Sequence, residues 1–570
     1  MEVMINVRTG RTRGIGLALS LGLALVASAC SSSDSGSTTT TAGAVNPDAK
    51  PLSMTLYTTA GNKRRELTAQ ILQSGLKDVG IDLKIQTEKS SELFGKRLPA
   101  GDFQVALYAQ VPASNSPVLC SVFCSENIPG PANENSGQNW TRTKSEAVDK
   151  AYKEADTEPD QAKRKALSDQ GQKALADDFT SLPVDPFPDI VAYNPAKVGG
   201  PVLHNFAHGP WYNANEYYLK TSADQTTPSK GGELVFGAEQ EPDTADWINT
   251  AAGSSWGVWS IGAHTMPRTF DYLPDGYKPT ELLAGEPALT MEAGKQTVTY
   301  KLNPAAVWSD GQPITSADFQ YTFDQIKNGK DIYDRTGYKD IESVDTKDPK
   351  TAIVTFATPY GDYKDLFGGF YGVFPKHLLD GKDRNAEMKD GYKWSGGPWV
   401  IDHWTKENEV VLTPNPKWYG AKKANLDKMT FKFNSDTSAE IGNFKSKQLD
   451  MIYPQAQPDV KDLKTLPDVK LDTVTGLSYE ALWINNDKAP FDDPKVREAF
   501  FYAVDRAAIV KGLFEPIQPG IQVINAFMTQ ANKDFYGSEP FAAFKKDTKK
   551  VDKILTGAGY KKGKDGIYAK

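Results

Sequence analysis

Apolar and polar residues alternate along residues 52–58 (LSMTLYT), the two-residue period of a half-buried strand. The period changes in KRRELTAQILQSGLKDV, residues 63–79, where Leu67, Ile71, Leu72 and Leu76 fall on one helical face. IDLKIQT then returns to the strand pattern. Strand, helix and strand within about 35 residues make an α/β unit. DFQVALYAQ reads as a further strand, and residues 144–180 as long polar-faced helices that stop before the Pro-rich VDPFPDI.

The pattern lapses over SADQTTPSK, residues 222–230, which is Ser/Thr/Pro-rich and poor in apolar residues. It resumes at GGELVFGAE as if a mature chain were starting again. Strands QTVTYKL and TAIVTFA follow, with helix SADFQYTFDQIKN between them, then strands around WVIDHW, EVVLTPN and KMTFKFN. Helix SAEIGNFKSKQ leads to strands MIYP and EALWINN, and the remainder is mostly helical, through PKVREAFFYAVDRAAIVKGLF. This alternation predicts a mixed α/β architecture in two lobes.

A length of 570 residues exceeds one core, so two to four domains are expected. The net charge of −7 argues against a nucleic-acid partner, because phosphate recognition needs a basic surface. Eleven tryptophans leave room for an aromatic-lined cleft beside ordinary packing.

Arg8, Arg11 and Arg13 precede an apolar run from Ile15 to Val26 and the small residues Ala27-Ser28-Ala29, then Cys30. The arrangement resembles the lipobox of bacterial lipoproteins, although Ala27 stands where Leu is commonest. The resemblance implies a signal peptide at 1–30, lipidation of Cys30 and a location outside the cytoplasmic membrane, on its outer face. Residues 31–50 then form a flexible Ser/Thr/Gly tether with a reach of roughly 25 Å. No later stretch holds eighteen consecutive apolar residues, so no other segment is expected to span a membrane. Cys120 and Cys124 fit either a disulfide in an oxidising compartment or two free thiols. The five scattered His residues lack ligand spacing, so neither a metal nor another cofactor is expected.

The most specific string is VTYKLNPAAVWSDGQPITSADFQYTFDQI, residues 298–326. Physically it is a strand, a tight Asp310-Gly311 turn, and a helix capped by Thr315 or Ser316 with Asp318 in its first turn. It closely resembles the signature of extracytoplasmic solute-binding proteins of family 5, the dipeptide, oligopeptide and nickel-type receptors of ABC importers. VFPKHLL, GGPWVIDHW, LTPNPKWYG, NFKSKQLDMIYP and ILTGAGY occur in the family's order. The resemblance implies a two-lobed periplasmic-binding-protein fold and a monomeric, non-catalytic receptor. Such a receptor captures a small solute, most often a short peptide, and delivers it to ABC permease subunits. A non-peptide solute such as a sugar is the alternative ligand.

Compared with the family's order, the pieces at about 50–220 stand before the first strand instead of after Lys570. The resemblance therefore implies a circular permutation. Lobe two comprises 51–183 and 486–570, lobe one comprises 184–220 and 231–485, and 221–230 links the usual termini. A rearranged reading frame or a chimera of two paralogues would give the same order. A linker of that length spans at most about 35–40 Å.

The same resemblance puts Glu239, Trp256, Trp259, Gly397, Trp399, Tyr479, Trp483 and Asn485 at the cleft. There, backbone groups can pair with an extended ligand while aromatic pockets accept its side chains. The stretch that usually carries an Asp for a peptide amine reads AQVPASNSPVLCSVF, with no carboxylate, so an amine is not expected to be anchored there. One competing pattern is Gly253-Ser254-Ser255-Trp256-Gly257, a G-x-S-x-G match that would make Ser255 an esterase nucleophile. Its flanks DWINTAA and VWSIGAH supply neither the buried strand nor the clear helix that a nucleophile elbow needs.

Overall fold

In the computed structural model, residues 49–570 are described, except 113–115, 134, 159, 206, 255 and 274. The signal peptide, Cys30, most of the tether and Ser255 lie outside the described residues. No described helix is long and apolar enough to cross a membrane.

The first α/β unit forms where the periodicity puts it. β1 (Ser53–Thr59) alternates half-buried and buried positions, α1 (Lys63–Asp78) follows, and β2 (Asp82–Glu88) pairs parallel with β1, Ser53 opposite Asp82. The buried face of α1 is rotated from the expected one. Arg64, Arg65, Thr68, Ala69, Leu72 and Leu76 are buried, whereas Leu67 and Ile71 are only half-buried. β3 (Val105–Gln110) flanks β1 on its other side. Helices Glu146–Thr157 and Gln161–Asp177 fill the region read as helical.

β4 (Ser181–Tyr193) departs from the sequence reading. The Pro-rich stretch is a fully buried thirteen-residue strand in the middle of the sheet. Pro183, Pro186 and Pro188 face its partner strand around register shifts, the place where a strand tolerates residues that cannot donate.

β5 (Glu233–Ala238) begins the second half. A small antiparallel sheet holds β6 (Ala288–Glu292), β7 (Lys295–Lys301), β8 (Ile341–Asp348) and β9 (Thr351–Phe356), in the order β6-β7-β9-β8. Helix Ser316–Asn328 joins β7 to β8, capped by Thr315 with Asp318 in a reciprocal capping box. The remaining strands of the large sheet are β10 (Trp399–Thr405), β11 (Glu409–Pro414), β12 (Lys428–Phe433), β13 (Met451–Ile452) and β14 (Lys470–Ile484). β14 starts about ten residues before the EALWINN run, because its polar first half rests against β4 rather than in an apolar layer.

Ten strands join one mixed sheet in the order β10-β11-β12-β5-β13-β4-β14-β3-β1-β2. Two hydrophobic cores share it. One is built from residues between Leu52 and Ala192 together with Ile441 to Tyr568; the other from residues between Val191 and Met451. Residues 50–220 thus do not stand apart. They share the sheet with β14, and Lys50 and Leu52 donate to the carbonyls of Lys570 and Tyr568 at 3.0 and 2.6 Å. Gly80 fits beneath this junction in a left-handed conformation, φ +90°, where a Cβ would meet the Gly566 carbonyl at 2.7 Å. Residues 221–230 carry neither helix nor strand.

Candidate ligand-binding cleft

β4 and β14 are long enough to run through both half-sheets. Ser181 to Asp185 of β4 oppose Glu480 to Trp483, the part of β14 that also pairs with β3. Ala192 and Tyr193 oppose the start of β14 and also pair with β13. The carboxyl end of β3, where Gln110 meets Tyr479, and that of β13, where Ile452 meets Ala192, therefore aim at each other over the middle of the two long strands. Carboxyl ends of strands are where open α/β sheets bind ligands.

A cavity of about 340 Å³ lies there, lined by residues from both cores. Fifteen aromatic rings face it. Trp256 stacks on Tyr453 with ring centres 5.4 Å apart and donates from Nε1 to the Ala207 carbonyl at 2.8 Å. Trp259 stacks on Phe370 at 4.2 Å and donates to the Trp247 carbonyl at 2.9 Å. Each ring is fixed through its one polar atom and one stacked neighbour, which holds it rigid in the cavity wall. A short helix, Gly257–Gly262, carries Trp259, where the sequence offered no clear helix.

Charge in the cavity is sparse: Arg65, Glu239, Asp334 and Asp365. The Glu239 carboxylate accepts from Thr437 Oγ1 at 2.7 Å, from the Gln455 amide N–H at 3.0 Å and from the Gln455 side chain. Burial pushes it upward against these donors. Asp334 accepts from the Thr336 amide at 2.8 Å and from Gln138 at 3.0 Å, while Tyr333 donates to Gln138 at 3.1 Å. Burial again raises its carboxyl.

Below the cavity lies a buried charge cluster. Arg64 and Arg65 both bind Glu480, Arg64 Nη2 at 2.8 Å and Arg65 Nε at 2.7 Å. Burial alone would raise Glu480, but the two guanidiniums outweigh it and hold the carboxyl at about 2. Asp185, opposite Glu480 in the sheet, has no hydrogen-bond partner on either oxygen among the described residues. Burial and the Glu480 charge push it well above the usual carboxylate range.

The expected site residues divide. Glu239, Trp256, Trp259 and Tyr479 line the cavity; Gly397, Trp399, Trp483 and Asn485 do not. Trp483 is completely buried behind Tyr108, stacked at 4.9 Å and bonded to its carbonyl at 2.9 Å, so Tyr108 takes the lining position. Asn485 donates to the carbonyls of Gly101 and Phe103 and fixes the loop entering β3. Trp399 is buried where β10 begins. Gly397 packs so tightly that a Cβ would meet the His264 carbonyl at 2.3 Å, and it borders a separate recess with Tyr212 and Arg268. Asn62, Arg65, Tyr108 and Asp334 escape sequence reasoning, since periodicity marks which face of an element is buried but not whether that face meets a cavity.

Cys120 and Cys124 form a disulfide across one helical turn, with Cα atoms 4.6 Å apart. Ser121 and Val122 inside that loop line the cavity, so the bridge braces part of its wall.

Residues 278–569, just over half of the chain, match the model of the bacterial extracellular solute-binding proteins, family 5. The chain belongs to that family. A Brucella ovis protein named as an ABC transporter peptide-binding protein is 29% identical over 249 residues, covering 41% of this chain and 45% of its own. The oligopeptide-binding protein OppA of Mycobacterium tuberculosis is 30% identical over 214 residues, 36% of each chain. The chain thus spans less than half the length of the curated relatives it matches. Among solved structures, the oligopeptide-binding protein AppA of Bacillus subtilis, in complex with a nonapeptide, superposes with a TM-score of 0.50 at 19% identity. It covers 60% of this chain and 67% of that one. This likeness concerns the fold: the family 5 chain shares the two-lobed α/β architecture. Nothing in the family match favours the esterase pattern. Of the histidines that follow Ser255 in the chain, His264 is completely buried against Phe431, and burial with the Arg268 charge lowers its imidazole to about 3.

Proposed function

We propose that this family 5 chain is a non-catalytic extracytoplasmic receptor that captures a small solute, foremost a short peptide, and delivers it to the permease subunits of an ABC importer. The observation that carries this reading is the aromatic-lined cavity over the midpoint of β4 and β14. Its volume falls in the range of about 300–1,000 Å³ typical of small-ligand sites. In this reading Cys30 is lipidated, residues 31–50 tether the receptor to the outer face of the membrane, and the protein works as a monomer.

The chain order is part of the proposal. We read residues 50–220 as the family's C-terminal part placed in front, with lobe boundaries near 183, 220 and 485. The pairing of residues 50–52 with 568–570 supports this, since it lays the two segments side by side as an unpermuted chain would need. A variant running 231–570 and then 50–220 should fold to the same melting temperature and bind the same ligands. Failure of that variant to fold would favour a join of unrelated pieces.

The receptor reading is tested by melting the purified protein against a panel of short peptides and sugars. A true ligand at a hundred times its Kd should add about 2.7 kcal/mol of stability. Ester turnover by the purified protein, lost in Ser255→Ala, would overturn the reading.

A further inference from the structure

Charge is spread unevenly along the chain. Residues 545–570 hold nine lysines and three aspartates, a balance of +6, so the chain's net −7 leaves −13 for everything before them. Eight of the nine lysines make no ion pair among the described residues; Lys546 meets Asp78 at 3.8 Å. The three aspartates hold turns instead. Asp547 caps a helix by accepting from the Lys550 amide, Asp565 accepts from the Ile567 amide, both at 3.0 Å, and Asp552 accepts from the Tyr568 hydroxyl.

Two elements present the lysines. The helix Thr548–Gly557 buries Val551 and Leu555, which turns Lys549 and Lys553, four residues apart, outward. Beyond it, strands Lys561–Lys562 and Tyr568–Ala569 pair antiparallel, and Lys561, Lys562, Lys564 and Lys570 are exposed. The Tyr568 bond to Asp552 ties this hairpin to the helix, as does the Tyr560 amide, which donates to the Leu555 carbonyl at 2.9 Å. Asp492 and Asp493 mark the border of the basic face beside Tyr560. Lysines gathered without counter-charges repel one another, and Lys549 and Lys550 also oppose the dipole of the helix they begin. Such a face gains most against an extended anionic surface.

Position selects which surface. Lys50 and Lys570 exchange main-chain hydrogen bonds at 3.0 and 3.1 Å, so the chain that follows Cys30 joins the fold at this face. We propose that the helix Thr548–Gly557 and the hairpin 561–570 form a docking face for the anionic lipid surface of the membrane. Each lysine brought to such a surface strengthens binding by about fivefold, within a Debye length of about 10 Å at 0.1 M salt. The assignment takes its orientation from the lipid-anchor reading and adds a second attachment to it. A lipid chain and a basic patch together hold a protein at a bilayer more firmly than either does alone.

The test is sedimentation of the lipidated full chain with vesicles of phosphatidylcholine, with and without about one third phosphatidylglycerol. Cys30→Ser removes the anchor and isolates the face. That variant should bind the mixed vesicles and not the neutral ones, and should release them at about 0.5 M salt. Adding Lys549→Glu, Lys553→Glu, Lys561→Glu and Lys562→Glu together should leave the melting temperature unchanged and weaken binding by about a hundredfold or more. Lys301→Glu, Lys347→Glu, Lys382→Glu and Lys406→Glu make the same change of net charge at exposed positions elsewhere and should leave binding nearly intact. Equal sedimentation of Cys30→Ser with both kinds of vesicle, or equal losses in the two quadruple variants, overturns the docking face and leaves the anchor reading intact. Wild type that binds neutral vesicles no better than Cys30→Ser overturns the anchor and leaves the face standing.

Discussion

Two arginines of almost equal burial show how differently a buried charge can be held. Arg384, 6% exposed in the second core, has a partner for every nitrogen group. Nε binds Asp246 at 2.7 Å, Nη1 binds Gln325 at 3.0 Å and Nη2 binds Asp331 at 2.6 Å. Arg65, 7% exposed and lining the cavity, shares the Glu480 carboxylate with Arg64 and gives Nη1 to Thr59. The first arrangement is closed and ties loops together. The second sets two guanidiniums on one carboxylate at the cavity wall, so it depends on that single anion. The contrast separates scaffold from site more sharply than burial does.

The largest expected effect breaks the cluster that shares one anion. Glu480→Gln leaves two buried guanidiniums without their shared anion and should destabilise by about 3–5 kcal/mol in urea unfolding. Asp246→Asn should cost less, about 1–3 kcal/mol, because Asp331 and Gln325 still hold Arg384. Equal losses would show that the two clusters are built alike.

A second pair compares tryptophans. Trp483→Ala removes a completely buried ring and should lower stability by about 3–5 kcal/mol. Trp256→Ala, whose ring faces the cavity, should instead weaken ligand binding by about 1–3 kcal/mol with a smaller loss of stability. A normal melt with weakened binding in Trp483→Ala would place that ring back in the cleft.

Acidity separates the carboxylates themselves. Burial raises Asp246 to about 6 and Asp189 to about 7, so the folded state holds extra protons and stability should fall as pH rises from about 4 to 7. Glu480, held at about 2, works in reverse: its contribution is complete above its ordinary value of 4.5 and is lost as pH falls from there toward 2. Stability should therefore peak near pH 5. A profile still rising at pH 7 would contradict this sign.

The smallest effect belongs to Asp185→Asn. A carboxyl that burial already drives toward its neutral form should lose about 1 kcal/mol or less at neutral pH. A loss as large as that of Glu480→Gln would mean that Asp185 is ionised and carries half of the cluster.

The sequence by itself determined the local elements and the family. The alternation in LSMTLYT, the capped helix at 316–328 and the ordered landmarks from 298 to 560 are properties of neighbouring residues, and short-range periodicity and capping record them directly. It also marked Glu239, Trp256, Trp259 and Tyr479, which the fold does bring to one cavity. Tertiary structure alone decided the rest. VDPFPDI looks like a breaker until β14 supplies the register shifts that accept its prolines. The NKRRE run looks like a solvated helix start, yet Arg64 and Arg65 are buried because Glu480 of β14, about 415 residues away, meets both guanidiniums. No local pattern can encode a partner that distant, and burial of a charge is settled by that partner.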